Sequence, residues 1–423
     1  MFPALNPLVL SLRESATLAI NRKALELRRK GQTIFHFGFG QSPFPVPESL
    51  QEALRRNVHQ KDYLPTRGLP ELCRAVASFY RREFNFDYSA EDVCIGPGSK
   101  ELIFQTIYLV EGPLLVPAPS WVSYGPQAAL RGKGIVPIAT QRENGYRLQA
   151  DELDRACHSL GQCQKLLILN NPNNPTGGFY KQSEMEELAE ICRAYQVLVI
   201  SDEIYAMLNF TDRSHASMAH YYPEGTIVSG GLSKSFAAGG YRLGVLLVPK
   251  PLRLVLEALQ SVISETFSAV SAPIQYAALE AYGNFEAVRP FVLRTCDIHR
   301  YVCEYVYQRL LTMGLNCPRP EGAFYLFPDF QNQRDRLRKK GILTGQRLCD
   351  ELLQQAHVAV LPGVDFYLAA TALGVRVAPV DYDGAAALQS WPGSAAMTDE
   401  LAGQLFPRII AGCHRLEDYL LTL

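Results

Sequence analysis

Four groups that could act together on one small molecule recur in this chain at the ends of short apolar runs. Lys234 lies in the Gly- and Ser-rich stretch Ser229-Gly-Gly-Leu-Ser-Lys-Ser235, and Arg242 follows eight residues on in Gly240-Tyr-Arg-Leu-Gly244. An ε-amine in such a turn can form an imine, and a neighbouring guanidinium can hold a phosphate through paired N–H groups. Upstream, Ser201-Asp-Glu-Ile-Tyr205 comes directly after the apolar run Val197–Ile200, so a carboxylate and a phenol leave the end of a buried strand together. Asn171-Pro-Asn-Asn-Pro-Thr-Gly177 adds the Asn174 amide. Gly96-Pro-Gly-Ser-Lys-Glu101 precedes an apolar helix beginning near Leu102, which would aim backbone N–H groups at an anion. Trp121, in Ala118-Pro-Ser-Trp-Val-Ser-Tyr124, offers a flat face for stacking.

This inventory suits pyridoxal 5'-phosphate, whose chemistry needs a Schiff-base lysine and a partner for its pyridinium nitrogen. Lys234 would carry the cofactor and, once released by an incoming amine, serve as the base at the substrate Cα. Asp202 beside the ring nitrogen would keep it protonated. Tyr205 and Asn174 can donate to the ring 3'-oxygen, Gly98, Ser99 and Arg242 can hold the phosphate, and Trp121 can cover the ring. Each group alone has a plainer reading. Lys234 could be a surface lysine, Asp202 a helix N-cap, the Asn171 segment a turn and Trp121 a core residue. Their joint occurrence at strand ends argues for one site.

The elements that must position them are legible in the pattern. Apolar runs at 93–95, 114–116, 134–138, 165–169, 197–200, 226–228 and 244–248 alternate with helix-period segments, as in a mainly parallel sheet covered on both faces. Ligands of such α/β sheets collect beyond the carboxyl ends of the strands. A long helix is expected over about 285–315, a strand at Phe324–Phe327 and a closing helix over about 398–421, with 381–396 a surface excursion rich in small residues. The expected division is residues 1–45 as an N-terminal arm and part of a small domain, 46–284 as the large cofactor-binding domain, and 285–423 as the C-terminal small domain.

Length and charge agree with a soluble enzyme. At 423 residues the chain exceeds one compact core. Its 41 Lys and Arg balance 42 Asp and Glu, which gives no field for nucleic acid or an acidic membrane and leaves a small-molecule partner. The ten cysteines include no CxxC pair and no zinc spacing, so no metal is expected and the thiols read as reduced, in a cytoplasmic protein. Neither a secretory signal nor an apolar run of about 18 residues is present.

Over almost its whole length the chain resembles the class I, fold-type I pyridoxal-phosphate aminotransferases, in the branch that contains many bacterial aspartate aminotransferases. Further carriers of the likeness are Glu14–Ile20, Phe37–Gly40, Asp62–Leu72, Glu321–Tyr325, Leu361–Gly363 and Val375–Val377. The resemblance implies an α/β large domain with a mainly parallel mixed sheet between helices, plus a smaller α+β domain built from both termini. It implies Lys234 as the internal-aldimine lysine, Asp202 as the ring-nitrogen partner, and Tyr205 and Asn174 as 3'-oxygen donors. Gly98, Ser99, Lys100 and Arg242 frame the phosphate, Arg376 clamps the substrate α-carboxylate, and the Gly40 backbone lies against it. Tyr63 reaches the phosphate of a neighbouring subunit, which implies a homodimer with shared sites. The implied activity, in amino acid metabolism and biosynthesis, moves an amino group from an α-amino acid to a 2-oxo acid by a ping-pong mechanism.

Departures from the family pattern bear on specificity. The serine often found three residues before the lysine is Gly231, which shifts phosphate holding onto Ser233, Arg242 and backbone donors. The usual Gly-Glu-Pro-Asp-Phe turn reads Gly40-Gln-Ser-Pro-Phe44, and a common glycine after the phenylalanine of Pro-Gly-x-x-Phe is Tyr367. Phe39, Phe44 and Tyr367 would tilt a nearby pocket toward apolar substrates. A carbon–sulfur β-lyase on the same fold is the alternative reading. The sensor half of a transcription regulator fits poorly, because only about 35 residues precede Gly38. A nicotinamide site fits poorly too, because Pro43 stands where G-x-G-x-x-G needs its third glycine.

Overall fold

Seven strands form the central sheet: β1 Val93–Gly96, β2 Leu114–Ala118, β3 Ile135–Ala139, β4 Leu166–Asn170, β5 Leu198–Asp202, β6 Thr226–Gly231 and β7 Gly244–Leu247. The computed structural model describes residues 4–10, 12 and 14–423. Strand order is β1-β7-β6-β5-β4-β2-β3. Four neighbouring pairs are parallel, and β7 runs antiparallel to both of its neighbours. Six of the strands therefore point the same way, and the chain leaves β1, β2, β4, β5 and β6 on one edge of the sheet.

Both faces are covered, which is why the strands are apolar on successive residues. Val116, Ile168 and Ile200 face one helical layer with Leu102, Ile103, Leu256 and Leu259. Their neighbours Leu115, Leu167 and Val199 face the other, with Leu153, Met185 and Leu188. The helix Ser99–Leu109, called α1, starts directly after β1, and α2, Tyr124–Leu130, starts six residues after β2.

The C-terminal part packs around α3, Phe285–Thr312, through Ile298, Val302, Val306 and Leu310, while Val288 and Val292 in its first turns pack with Leu72, Val76 and Phe79 of the large body; all six follow the helical period. Phe35, Phe37 and Phe44 belong to this second core, and Phe35–His36 pairs in parallel with Val358–Ala359. Residues from near both ends of the sequence thus build one body.

Three local expectations need correction. Phe324–Phe327 makes only one bridge, Leu326 with Val377, because Ala323 turns the chain with φ of 58° and Pro328 has no N–H to extend a ladder. The closing helix is two helices, Asp399–Leu405 and Pro407–Leu421; Pro407 cannot donate to the preceding turn and opens a new helix instead. The 381–396 stretch is docked rather than superficial. Asp383 caps the helix Gly384–Ser390, and the buried Trp391 donates from Nε1 to Asp297 of α3 at 2.8 Å.

Candidate active site

The strand ends converge on one cavity of about 430 Å³. Register brings the first polar groups together: Asn170 lies opposite Asp202, and Asp202 opposite Ser229. Asn170 donates its side-chain amide to the Asp202 carbonyl at 2.8 Å and accepts the Asn174 N–H at 2.6 Å. Asn174 in turn accepts from Arg376 Nη1 at 3.1 Å. A hydrogen-bonded line therefore runs from the end of β5 to the guanidinium, and it leaves the Asn174 NH2 for a ligand.

Asp202 is buried at the end of β5 with one oxygen committed and one free. Tyr124 donates to Oδ2 at 2.7 Å, whereas Oδ1, among the described residues, has no partner. Burial pushes the carboxyl up to about 6, against the Tyr124 hydrogen bond and the Ile204 N–H, which hold it down. Behind it, buried Glu203 accepts from Ser201 Oγ, Ser217 Oγ and the His215 ring. An unpaired carboxylate oxygen at a cavity wall calls for a charged N–H donor.

Lys234 donates from Nζ to the Gly40 carbonyl at 2.8 Å. Burial, with the Arg376 charge close by, lowers its ammonium to about 7, and Asp202 opposes that shift. Its amine is therefore available without its proton near neutrality. Tyr205 shares a 2.7 Å hydrogen bond with the Tyr325 hydroxyl, and burial raises its phenol well above the usual range, so it stays a donor.

Arg376 is fully enclosed. Its guanidinium lies 4.9 Å from the Tyr325 ring centre and 5.2 Å from that of Phe366, and Nη2 donates to the Gly38 carbonyl at 2.7 Å. Among the described residues its Nε–H has no partner. Four cations line the cavity, Lys100, Lys234, Arg242 and Arg376, against the single carboxylate Asp202. None of the four forms a salt bridge among the described residues, so the cavity is built for an anion or two.

One end of it fits a phosphate. Gly98 sits at the start of α1 with φ of 91°, and a β-carbon there would fall 2.2 Å from Arg242 Nη2. The bare glycine lets the guanidinium lie over the helix start. Among the described residues Arg242 donates only to the Gly239 and Pro97 carbonyls, at 2.9 and 3.2 Å. At Gly231, φ is 154° and a β-carbon would meet the Leu243 carbonyl at 2.7 Å, so a serine has no room in this chain. Ser99 and Ser233 line the cavity beside Arg242. The free Asp202 oxygen, the Gly98 cradle and the Lys234 amine together match the donor set that pyridoxal phosphate needs.

Of the residues singled out from sequence, Gly40, Ser99, Lys100, Trp121, Asn174, Asp202, Tyr205, Ser233, Lys234, Arg242 and Arg376 line this cavity. Gly98 lies beneath Arg242, and Tyr63 stands apart, 98% exposed. Phe44 is buried between His299 and Tyr382, and Tyr367 bonds to the Trp121 carbonyl, so of the three aromatics expected near the substrate only Phe39 lines the cavity. Tyr124, Tyr325 and Asn170 were not foreseen. The spacing Trp121-x-x-Tyr124 and the Tyr at the end of Glu321–Tyr325 were the available signals.

Another hollow, about 470 Å³ beside Phe210 and Tyr301, has its charges already paired: Arg300 with Asp297, Arg319 with Glu304, and Arg213 with Glu321. Among the described residues no His, Cys, Asp and Glu cluster could hold a metal, and no helix is long and apolar enough to cross a membrane.

Residues 32–382 match the family model for aminotransferases of class I and II. The aspartate/prephenate aminotransferase of Thermus thermophilus is 34% identical over 363 residues, which is 85% of this chain and 90% of that protein. The aspartate aminotransferase of Geobacillus stearothermophilus is 32% identical over 371 residues, again 85% and 90%. Among solved structures, the Thermus thermophilus aspartate aminotransferase with maleate superposes with a TM-score of 0.84 at 30% identity, covering 99% of this chain and 100% of that one.

Proposed function

This chain belongs to the class I and II aminotransferases, enzymes that use pyridoxal 5'-phosphate, and on that premise we propose which of its residues carry out the transfer and on what substrates. The observation that carries the reading is that Asp202 Oδ1, unpartnered among the described residues, and the Lys234 amine line one cation-rich cavity.

The bound cofactor supplies a carbonyl carbon that takes up the amino group and a ring that accepts charge from the substrate Cα. Lys234 would anchor it and, once released as an amine whose ammonium burial lowers to about 7, would take up the Cα proton and give it back later in the transfer. Asp202 Oδ1 would accept the ring N–H, while Tyr124 holds the other oxygen in place. Tyr205 and the Asn174 NH2 would donate to the ring oxygen, and Trp121 would cover the ring. Ser99, Ser233, Arg242 and the first N–H groups of α1 hold the phosphate. Arg376, kept flat between Tyr325 and Phe366, takes the α-carboxylate of amino acid and oxo acid alike, which is the requirement of a two-stage, ping-pong exchange.

A dicarboxylic donor is proposed, in keeping with relatives named for aspartate. Ser15, Thr17 and Lys100 line the same cavity, and the buried Thr17 hydroxyl has no partner among the described residues. A second carboxylate would take that hydroxyl and lie near the Lys100 charge. We also propose a homodimer in which Tyr63 reaches the neighbour's phosphate; a phenol 98% in water, with Val58 five residues earlier also exposed at 68%, supports it. We propose the division near residues 45 and 284, with the first turns of α3 packed on the large domain, and ten unpaired thiols support a reducing cytoplasm.

The test is a panel of amino donors, L-aspartate, L-alanine, L-phenylalanine and L-tyrosine, against pyruvate, oxaloacetate and 2-oxoglutarate. Amino transfer that requires the oxo acid, greatest with L-aspartate and 2-oxoglutarate, is expected. Ammonia release that proceeds without any acceptor would contradict it.

A further inference from the structure

Trp121 and Arg376 belong to different parts of the molecule. Trp121 follows β2 of the central sheet, whereas Arg376 ends the strand Val375–Arg376, which pairs antiparallel with Leu361–Pro362 in the C-terminal part. Several contacts span the two, and one side chain bridges them with two hydrogen bonds. Tyr367, in the turn joining those short strands, donates its hydroxyl to the Trp121 carbonyl at 3.0 Å and accepts the Gly125 N–H at 2.7 Å. Gly125 is the second residue of α2, and the first N–H groups of a helix have no partner within it. The phenol therefore caps the helix that begins with Tyr124, the residue bonded to Asp202. Beside it the Ser120 N–H donates to the Phe366 carbonyl at 3.3 Å, and the Phe366 ring lies against Arg376.

The backbone points the same way independently. Tyr367 has φ of 72° and ψ of 13°, the left-handed region that glycine enters freely and a tyrosine does not. Such a conformation persists only where the surroundings over-determine it. Here the side chain has both its donor and an acceptor site engaged across the gap.

We infer that Tyr367 is a positioning residue that ties the Arg376 hairpin to the Trp121 segment, and so sets the spacing between the clamp on the substrate α-carboxylate and the face that covers the cofactor. The inference rests on the roles proposed above for Arg376 and Trp121. Loosening the tie leaves every reacting group present but lets the clamp drift from the ring. Binding of amino acid and oxo acid should weaken together, whatever their side chains, while the chemical steps change less.

Two variants separate this role from simple packing. Tyr367→Phe keeps the ring and removes both hydrogen bonds; Tyr367→Gly removes them and also relieves the backbone. In the holoenzyme, both should raise KM for L-aspartate and for 2-oxoglutarate by about fivefold or more, with kcat within about threefold of the parent. The chain has two tryptophans, so in a Trp391→Phe background the fluorescence anisotropy of the cofactor-free protein reports Trp121 alone, and it should fall in both variants. Unchanged KM values and anisotropy in Tyr367→Phe would overturn the inference. So would a lower Tm and kcat with KM and anisotropy intact, because that pattern marks a packing residue. A parent enzyme unable to transfer an amino group between any pair of the panel would instead sink the functional reading, and the anisotropy arm would still test the tie.

Discussion

Tyr124→Phe removes one oxygen atom from the support of the cofactor and keeps the ring that meets Trp121 edge to face at 5.2 Å. Burial raises the Asp202 carboxyl to about 6, and the Tyr124 hydrogen bond leads the effects that hold it down. A hydrogen bond to a charged group contributes about 1.5–3 kcal/mol. Since 1.36 kcal/mol is equivalent to one pH unit, its loss should raise the carboxyl by a further 1–2 pH units or so. The direction follows from which form would bind: in the proposed role it is the ionised carboxylate that accepts the ring N–H, and it exists above the pKa. Cofactor affinity of the parent should therefore be full above about pH 6 and fall as the pH drops through that value. In the variant the falling limb should move up by about 1–2 pH units, with affinity near pH 7 reduced about two- to tenfold. Titration of the cofactor-free protein with pyridoxal phosphate, followed by absorbance across the pH range, measures both. A falling limb at the parent's pH, with unchanged affinity at neutrality, would refute the assignment of Tyr124 as the support of Asp202.

Arg376→Lys loses the planar fork held between Tyr325 and Phe366, and KM for amino and oxo acids should rise about 100-fold with cofactor binding unchanged; equal KM values would place the carboxylate clamp elsewhere. Thr17→Val should raise KM for L-aspartate several-fold and leave L-alanine unaffected, because only the former brings a second carboxylate to the unpartnered hydroxyl; parallel changes in both would remove Thr17 from specificity. Lys234→Met should stabilise the cofactor-free protein in a pH-dependent way. The folded-state pKa of Lys234 is depressed to about 7, so its penalty is absent above the unfolded value, grows as the pH falls toward 7 and is constant below. Chemical denaturation at several pH values should show the variant's advantage growing from alkaline to neutral pH, and a pH-independent difference would mean that the amine is not desolvated. Tyr63→Phe should loosen the cofactor in a dimer of unchanged size, measured by dialysis and light scattering; a fully active monomer would contradict the shared site.

Much of the site was legible because strands end where their apolar runs end. Asp202, Asn174, Lys234 and Gly98 each follow such a run, and an α/β sheet gathers those ends without help from side-chain detail. Side-chain direction in irregular segments was not legible. Tyr325 reaches Tyr205 and Arg376 only because Ala323 turns the chain, and the residue that would have made 324–327 a regular strand is interrupted by Pro328. Tyr367 looked like a pocket residue by its place in the sequence, yet its left-handed backbone sends the hydroxyl to Trp121 instead. Local periodicity cannot show which long-range partner a phenol finds, and that choice decided both surprises.

The most direct measurement concerns the lysine itself. The purified holoenzyme is treated with borohydride, which fixes the cofactor to whichever amine holds it, and peptides are mapped by mass spectrometry. The account predicts a reduced phosphopyridoxyl group on the peptide containing Lys234 and nowhere else. A label on Lys100 or any other lysine, with Lys234 unmodified, would contradict it.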